Sequence, residues 1–157
     1  MYGIDPTQLL NAIICPTLIK MGDKDWQNSA KFLLGIAAVE TQCGRYLTQL
    51  EGGPAKGLYQ LEPASERDLW SYLNGRPGLR RKVEQFSVGN DLDSLGNLHH
   101  QTAVARAFLM RIPQRIPQTL LGWAGYWKQY WNTEKGKGTV SEFIEKYPKA
   151  VRLVEYA

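Results

Sequence analysis

The stretch FLLGIAAVETQCG, residues 32–44, decides how the chain is read. Eight apolar or glycine positions run unbroken and then meet a carboxylate, Glu40, with Gly44 four residues later. The pattern predicts a helix from near Asp25 to Cys43, stopped by Gly44. On that helix Leu33, Ile36 and Ala37 share a face with Glu40 through the three- and four-residue spacings. The acid is thus in line with the buried stripe, one turn from the helix end. Loss of water around the charged form and the negative end of the helix dipole both push its pKa upward. A glutamic acid kept protonated near neutral pH can donate a proton to a leaving oxygen. The alternative is a glutamate that turns out to solvent or pairs with Arg45.

Outward from this segment the signals are helical almost throughout. Asp5-Pro6 is an N-cap followed by a proline at the first helical position, and Leu9, Leu10, Ile13 and Ile14 recur at helical spacing until Pro16 kinks or ends the helix. Pro63 opens a helix to about Asn74, closed by Gly75, and a basic helix GLRRKVEQFS (78–87) follows. Gly89 to Gly96 is a polar connection. Helix resumes near His99, where Ala103, Val104, Ala107 and Phe108 form a stripe, and ends at Pro113. Another spans Pro117 to Trp131. NTEKGKG (132–138) is a turn, and TVSE (139–142) fits a capping box before a helix carrying Val140, Phe143, Ile144 and Tyr147.

The stretch 45–62 differs. Gly52, Gly53, Pro54 and Gly57 break it, and it predicts a short loop or β-hairpin in an otherwise α-helical chain. At 157 residues, with no repeat, linker or low-complexity tract, the sequence reads as one domain over 1–157. The net charge of +4 biases encounters toward anionic partners without defining any chemistry. Cys15 and Cys43 have neither metal-ligand spacing nor a disulfide framework and read as reduced core thiols, a bridge being the alternative. No signal peptide and no membrane span are legible, so stable membrane insertion is not expected.

The pair VETQCG (39–44) and AKGLYQLEPAS (55–65) resembles the goose-type lysozyme and soluble lytic transglycosylase superfamily. Glu40 falls on that family's catalytic acid. Thr41 replaces its usual serine, Gly57, Leu58 and Gln60 match directly, and Tyr59 stands where methionine is common. Downstream, AVARAFL (103–109) is similar to the family's small-residue helix behind the site. YWKQYWNTEKGKG (126–138) echoes its tyrosine–asparagine element, with Tyr126 or Tyr130 in the tyrosine's place and Asn132 in the asparagine's.

The resemblance implies a mainly α, lysozyme-like domain whose cleft binds bacterial peptidoglycan and cleaves the β-1,4 bond between N-acetylmuramic acid and N-acetylglucosamine. Glu40 would be the single general acid and base. Thr41, Gly57, Leu58, Tyr59, Gln60, Tyr126, Tyr130 and Asn132 would line or bind the substrate. The product is a 1,6-anhydro sugar in the transglycosylase branch and a reducing end in a hydrolase. No second acid is obvious; Glu51 and Glu62 flank the glycine loop, and Glu62 also suits the start of the helix at Pro63. No metal or cofactor is implied. The likeness is strongest to bacteriophage-encoded members, which places the protein in a virion or in the host cytoplasm before delivery to the wall, with other virion proteins as further partners.

Other features carry less. His99-His100 has no ligand-spaced neighbour and reads as a helix start rather than a metal site. LRRKVEQF (79–86) reads as a solvated face. In WAGYWKQYW (123–131) most rings are expected in the core, with one or two at a cleft edge. A second class of reading is a lysozyme-like virion or tail component that assembles without catalysis. A third, a nucleic-acid binder, rests on charge alone, and nucleic acid is not an expected partner.

Overall fold

The computed structural model describes residues 1–87 and 95–155. Its centre is the helix that the opening stretch predicts, here α2 (Trp26–Thr41). Nine of its residues between Ser29 and Ala38 are buried, Lys31 alone being exposed. A helix apolar around its whole circumference must be enclosed by other elements. Those elements are α1, α5, α6 and α7, each of which packs on α2.

Helix α1 runs from α-helical Pro6–Gln8 through π-helical Leu9–Ile14 to α-helical Cys15–Lys20. Asp5 caps it, its carboxylate accepting from Gln8 N–H at 3.0 Å. Of the two expectations for Pro16, that it ends the helix is overturned: the helix runs on to Lys20 and changes from π to α spacing beside the proline. The turn before it widens, with Cys15 N–H reaching back to the Leu10 carbonyl, and this wider spacing relieves the clash a proline ring makes with the preceding turn. Helix α3 (Pro63–Asn74) ends at Gly75 as predicted, and α4 (Pro77–Glu84) carries the basic segment. Helix α5 (Leu98–Met110) is capped by Asn97, whose side chain accepts from His100 N–H at 3.0 Å. Helix α6 is α-helical over Leu120–Trp127 and π-helical over Lys128–Asn132. It starts three residues after Pro117, because the Thr119 hydroxyl caps it by accepting from Gly122 N–H at 3.1 Å. Helix α7 (Val140–Lys146) begins at the Thr139 cap read from the sequence.

Two expectations are corrected. Among the described residues there is no β-strand, so 45–62 is not a hairpin. Only isolated bridges pair Thr48 with Lys56 and Lys56 with Leu61, and a single 3-10 turn occupies Leu50–Gly52. The cause is local: Glu51, Gly52, Gly57 and Gln60 all have φ between 52° and 83°, which interrupts an extended chain before a ladder can grow. Helix α2 also stops at Thr41 rather than Cys43. Gln42, Cys43 and Gly44 are successively left-handed, with Cys43 N–H closing back on the Ala37 carbonyl at 2.9 Å. The exposed carbonyls of this turn are used by the N-terminal segment, Gly3 N–H bonding Gln42 O and Ile4 N–H bonding Cys43 O, both at 2.8 Å. The polar connection expected at 89–96 falls mostly outside the described residues. Cys15 and Cys43 are buried and unbridged. No described helix is long and apolar enough to cross a membrane.

Gly35, in the middle of α2, lets the Phe143 ring of α7 lie against the helix backbone; a Cβ there would run into that ring. Phe143 is fully buried and packed among Phe32, Trp127 and Tyr147, so it has no free space to retreat into. Gly35→Ala is expected to destabilise the fold by about 1–3 kcal/mol despite its better helix propensity, read as a lowered urea midpoint with unchanged slope.

Candidate functional site

The last turn of α2 brings Glu40 to a polar cleft of about 320 Å³, whose walls come from the glycine loop, α3, α5 and the end of α6. Gln49, Ala55, Gln60 and Leu61 line it from the loop, Glu62 and Ser65 from the start of α3. Phe108 of α5 and Trp131, Asn132, Thr133 and Gly136 close the far side. The volume is in the range of small-ligand sites.

Glu40 is held from two directions. Its backbone carbonyl accepts from the Tyr46 hydroxyl at 2.6 Å, and its carboxylate Oε1 accepts from Trp127 Nε1 at 3.3 Å. Burial lifts its pKa from 4.5 to about 7, opposed by the Trp127 hydrogen bond and by the positive charge of Lys146 on α7. Loss of water dominates, as the sequence argument required. Arg45 is not its partner: that guanidinium donates to Gln42 Oε1 at 3.1 Å. A carboxyl poised between its two forms at neutral pH, in a cleft, can give or take a proton on a bound ligand.

The other predicted residues separate into three groups. Gln60, Asn132 and Glu62 line the cleft with Glu40. Gln60 is fixed by its amide, which donates to Gly57 O at 2.9 Å, and Asn132 by Lys128 Nζ, which donates to its Oδ1 at 2.6 Å. Thr41, Gly57, Leu58 and Tyr59 are buried behind the cleft. The Thr41 hydroxyl donates to the Leu58 carbonyl at 2.8 Å, lies 3.2 Å from the Ala37 carbonyl and accepts from Gly44 N–H at 2.9 Å. It joins the end of α2 to the glycine loop. Gly57 has φ 83° and presses against the Gln101 side chain, which accepts from Leu58 N–H at 2.7 Å. Tyr59 bonds Thr102 through its hydroxyl at 2.8 Å, and its carbonyl accepts from Trp131 Nε1 at 3.2 Å. Tyr126 and Tyr130 are not among the residues lining the cleft. They contact each other, and the Tyr126 hydroxyl donates to Gln114 O at 2.9 Å. Glu51 is exposed and is also not among the lining residues.

The aromatic residues at the site are Trp127, Trp131 and Phe108. Phe108 meets Trp131 edge-on at 5.4 Å and is covered by the Arg111 guanidinium at 4.3 Å. The sequence placed some of the rings of WAGYWKQYW at a cleft edge without distinguishing which. Trp131, in the π-helical segment, lines the cleft, and Trp127, at the end of the α-helical part, reaches Glu40. His99 bonds the Thr17 hydroxyl at 2.8 Å and stacks on Phe86, and no described cluster of His, Cys, Asp and Glu could hold a metal ion. Comparison of the chain with protein-family models, with curated proteins and with solved structures finds no match in any of the three.

Two tests follow from the geometry. Thr41→Ser keeps the hydroxyl and is expected to be tolerated, whereas Thr41→Val strands the buried Leu58 carbonyl and should cost about 1–3 kcal/mol in urea unfolding. For Glu40, the folded pKa of about 7 lies above the unfolded value of 4.5, so wild type has its full stability below 4.5 and loses it as pH rises through 7. Glu40→Gln, which cannot ionise, should exceed wild type by about 1–3 kcal/mol at about pH 8 and show no advantage at about pH 4.

Proposed function

We propose that this protein cleaves the glycan strands of bacterial peptidoglycan at the β-1,4 bond between N-acetylmuramic acid and N-acetylglucosamine, with Glu40 as general acid and then general base. The observation that carries the reading is Glu40 itself: a buried carboxyl with its pKa raised to about 7 that still lines an open polar cleft. Support also comes from the motif resemblance, which assigned the acid to the residue that the cleft presents.

In this reading the protonated Glu40 gives its proton to the glycosidic oxygen. The resulting carboxylate keeps its hydrogen bond from Trp127 Nε1, which favours the charged form as it appears. As the bond from the glycosidic oxygen to muramic acid C1 breaks and the leaving sugar departs, the carboxylate takes a proton from water or from the muramic acid 6-hydroxyl, whose oxygen bonds to C1. Gln60, Asn132, Gln49 and Ser65 offer donors and acceptors to sugar hydroxyl and acetamido groups, and the edge of Trp131 with Phe108 offers apolar surface to a ring face. Glu62 lines the same cleft and is the candidate second carboxylate; the substrate's own N-acetyl group is the other source of assistance. The wall as partner, and delivery to it by a phage particle, belong to the same proposal.

Mass spectrometry of soluble products from purified peptidoglycan tests it. Wild type should release muropeptides, and Glu40→Gln should release them roughly 10²–10⁴-fold more slowly. Anhydro ends would mark a transglycosylase and reducing ends a hydrolase. The rate should fall as pH rises above about 7, because the protonated acid is lost in that direction. Absence of products from folded wild type across pH and wall types would overturn the proposal.

A further inference from the structure

Thr133, at the rim of the cleft, also lines a second and more open groove of about 570 Å³, whose walls carry Lys128, Gln129, Glu134, Lys135 and Val140. Three features mark this junction. Helix α6 changes to π spacing over Lys128–Asn132, a deviation frequent at functional sites. Thr133 has φ 68° and ψ 171°, a conformation that strains any residue with a side chain and persists only where its surroundings enforce it. Its N–H is held by the Lys128 carbonyl at 2.8 Å.

The third feature is the Lys128 ammonium. It is half-buried and donates to two neutral acceptors, Asn132 Oδ1 at 2.6 Å and Gly136 O at 3.0 Å. Among the described residues no carboxylate forms an ion pair with it. An ammonium has three N–H donors, so one donor is left without a protein acceptor on a residue that lines the groove. The strained loop holds this cation at the boundary between groove and cleft.

We infer that the groove is a carboxylate-binding arm of the cleft, in which Lys128 receives the carboxylate of a peptide or acyl chain carried by a sugar seated beside Glu40. This rests on the glycan-cleaving reading, in which the muramic acid lactyl group carries such a chain. The local charge selects the ligand class. Glu134 opposes Lys128 and Lys135 on the same walls, which disfavours a densely charged polyanion and suits a chain with a single carboxylate. The Gln129 amide can pair with peptide groups, and Val140 offers an apolar contact.

The test uses the full chain carrying Glu40→Gln, so that no turnover occurs, and two probes titrated by calorimetry. One is a muramic-acid-containing disaccharide bearing a peptide with a single free carboxylate, the other the same disaccharide with its lactyl carboxyl capped as a neutral methylamide. The peptide-bearing probe should bind about tenfold more tightly, and Lys128→Met should remove that preference. Because Lys128→Met also releases Asn132, two exposed positions provide an independent measurement. Lys135→Gln should weaken the peptide-bearing probe by about twofold and Glu134→Gln should strengthen it by a similar factor. Equal affinity for the two probes overturns the inference and leaves the glycan reading standing; binding of neither overturns both. Unchanged peptide preference in all three variants also overturns the inference.

Discussion

The hydroxyl of Thr41 is the joint on which the arrangement depends. It is fully buried, and it ties three backbone segments together: the last turn of α2, the left-handed turn that follows, and the glycine loop at Leu58. Without it the loop would have one side-chain tether fewer to the helix that carries Glu40. With it, the backbone at Leu58 is fixed against α2, and Gln60, two residues further on, is set beside the acid. Gln101 makes the second tether, from α5 to Leu58 N–H. Both backbone groups of one residue are thus bound by side chains from different helices, which defines the position of a segment that has no strand pairing of its own.

Electrostatics at Glu40 follow from a balance rather than from burial alone. Enclosure by α2, α6 and α7 removes water and raises the acid, while Trp127 Nε1–H and Lys146 restrain the rise. A fully dry pocket would have left a permanently neutral group, and an open one an ordinary carboxylate. The packing that sets the balance involves Gly138, which sits so close to the Trp127 ring that a Cβ would collide with it. The turn after α6 therefore holds the indole in place from outside while Phe143 supports it from within.

Much of this was legible in the sequence, for reasons that can be named. The caps at Asp5, Thr139 and Gly75 lie where side-chain chemistry marks a helix boundary locally. Glu40 was legible as a candidate because it continues an apolar helical stripe, although the same stripe also allowed a glutamate turned to solvent or paired with Arg45. The failures share a cause: they depend on contacts distant in sequence or on backbone geometry that no residue type dictates. The left-handed conformations of Gln42 and Cys43 are sustained by bonds from Gly3 and Ile4. The absence of strands in 45–62 follows from positive φ at Glu51 and Gln60, where neither residue type announces it. That Trp131 and not Tyr126 or Tyr130 lines the cleft is decided within and beside a π-helical segment, whose register the sequence pattern does not reveal.

The two thiols have a consequence beyond packing. Cys15 and Cys43 are fully enclosed, and burial pushes each up to about 12, so neither holds an appreciable thiolate fraction at any physiological pH. Oxidants and disulfide partners need that anion and a path to it. In the folded protein the two thiols therefore stay unbridged in a reducing cell interior and in an oxidising exterior alike.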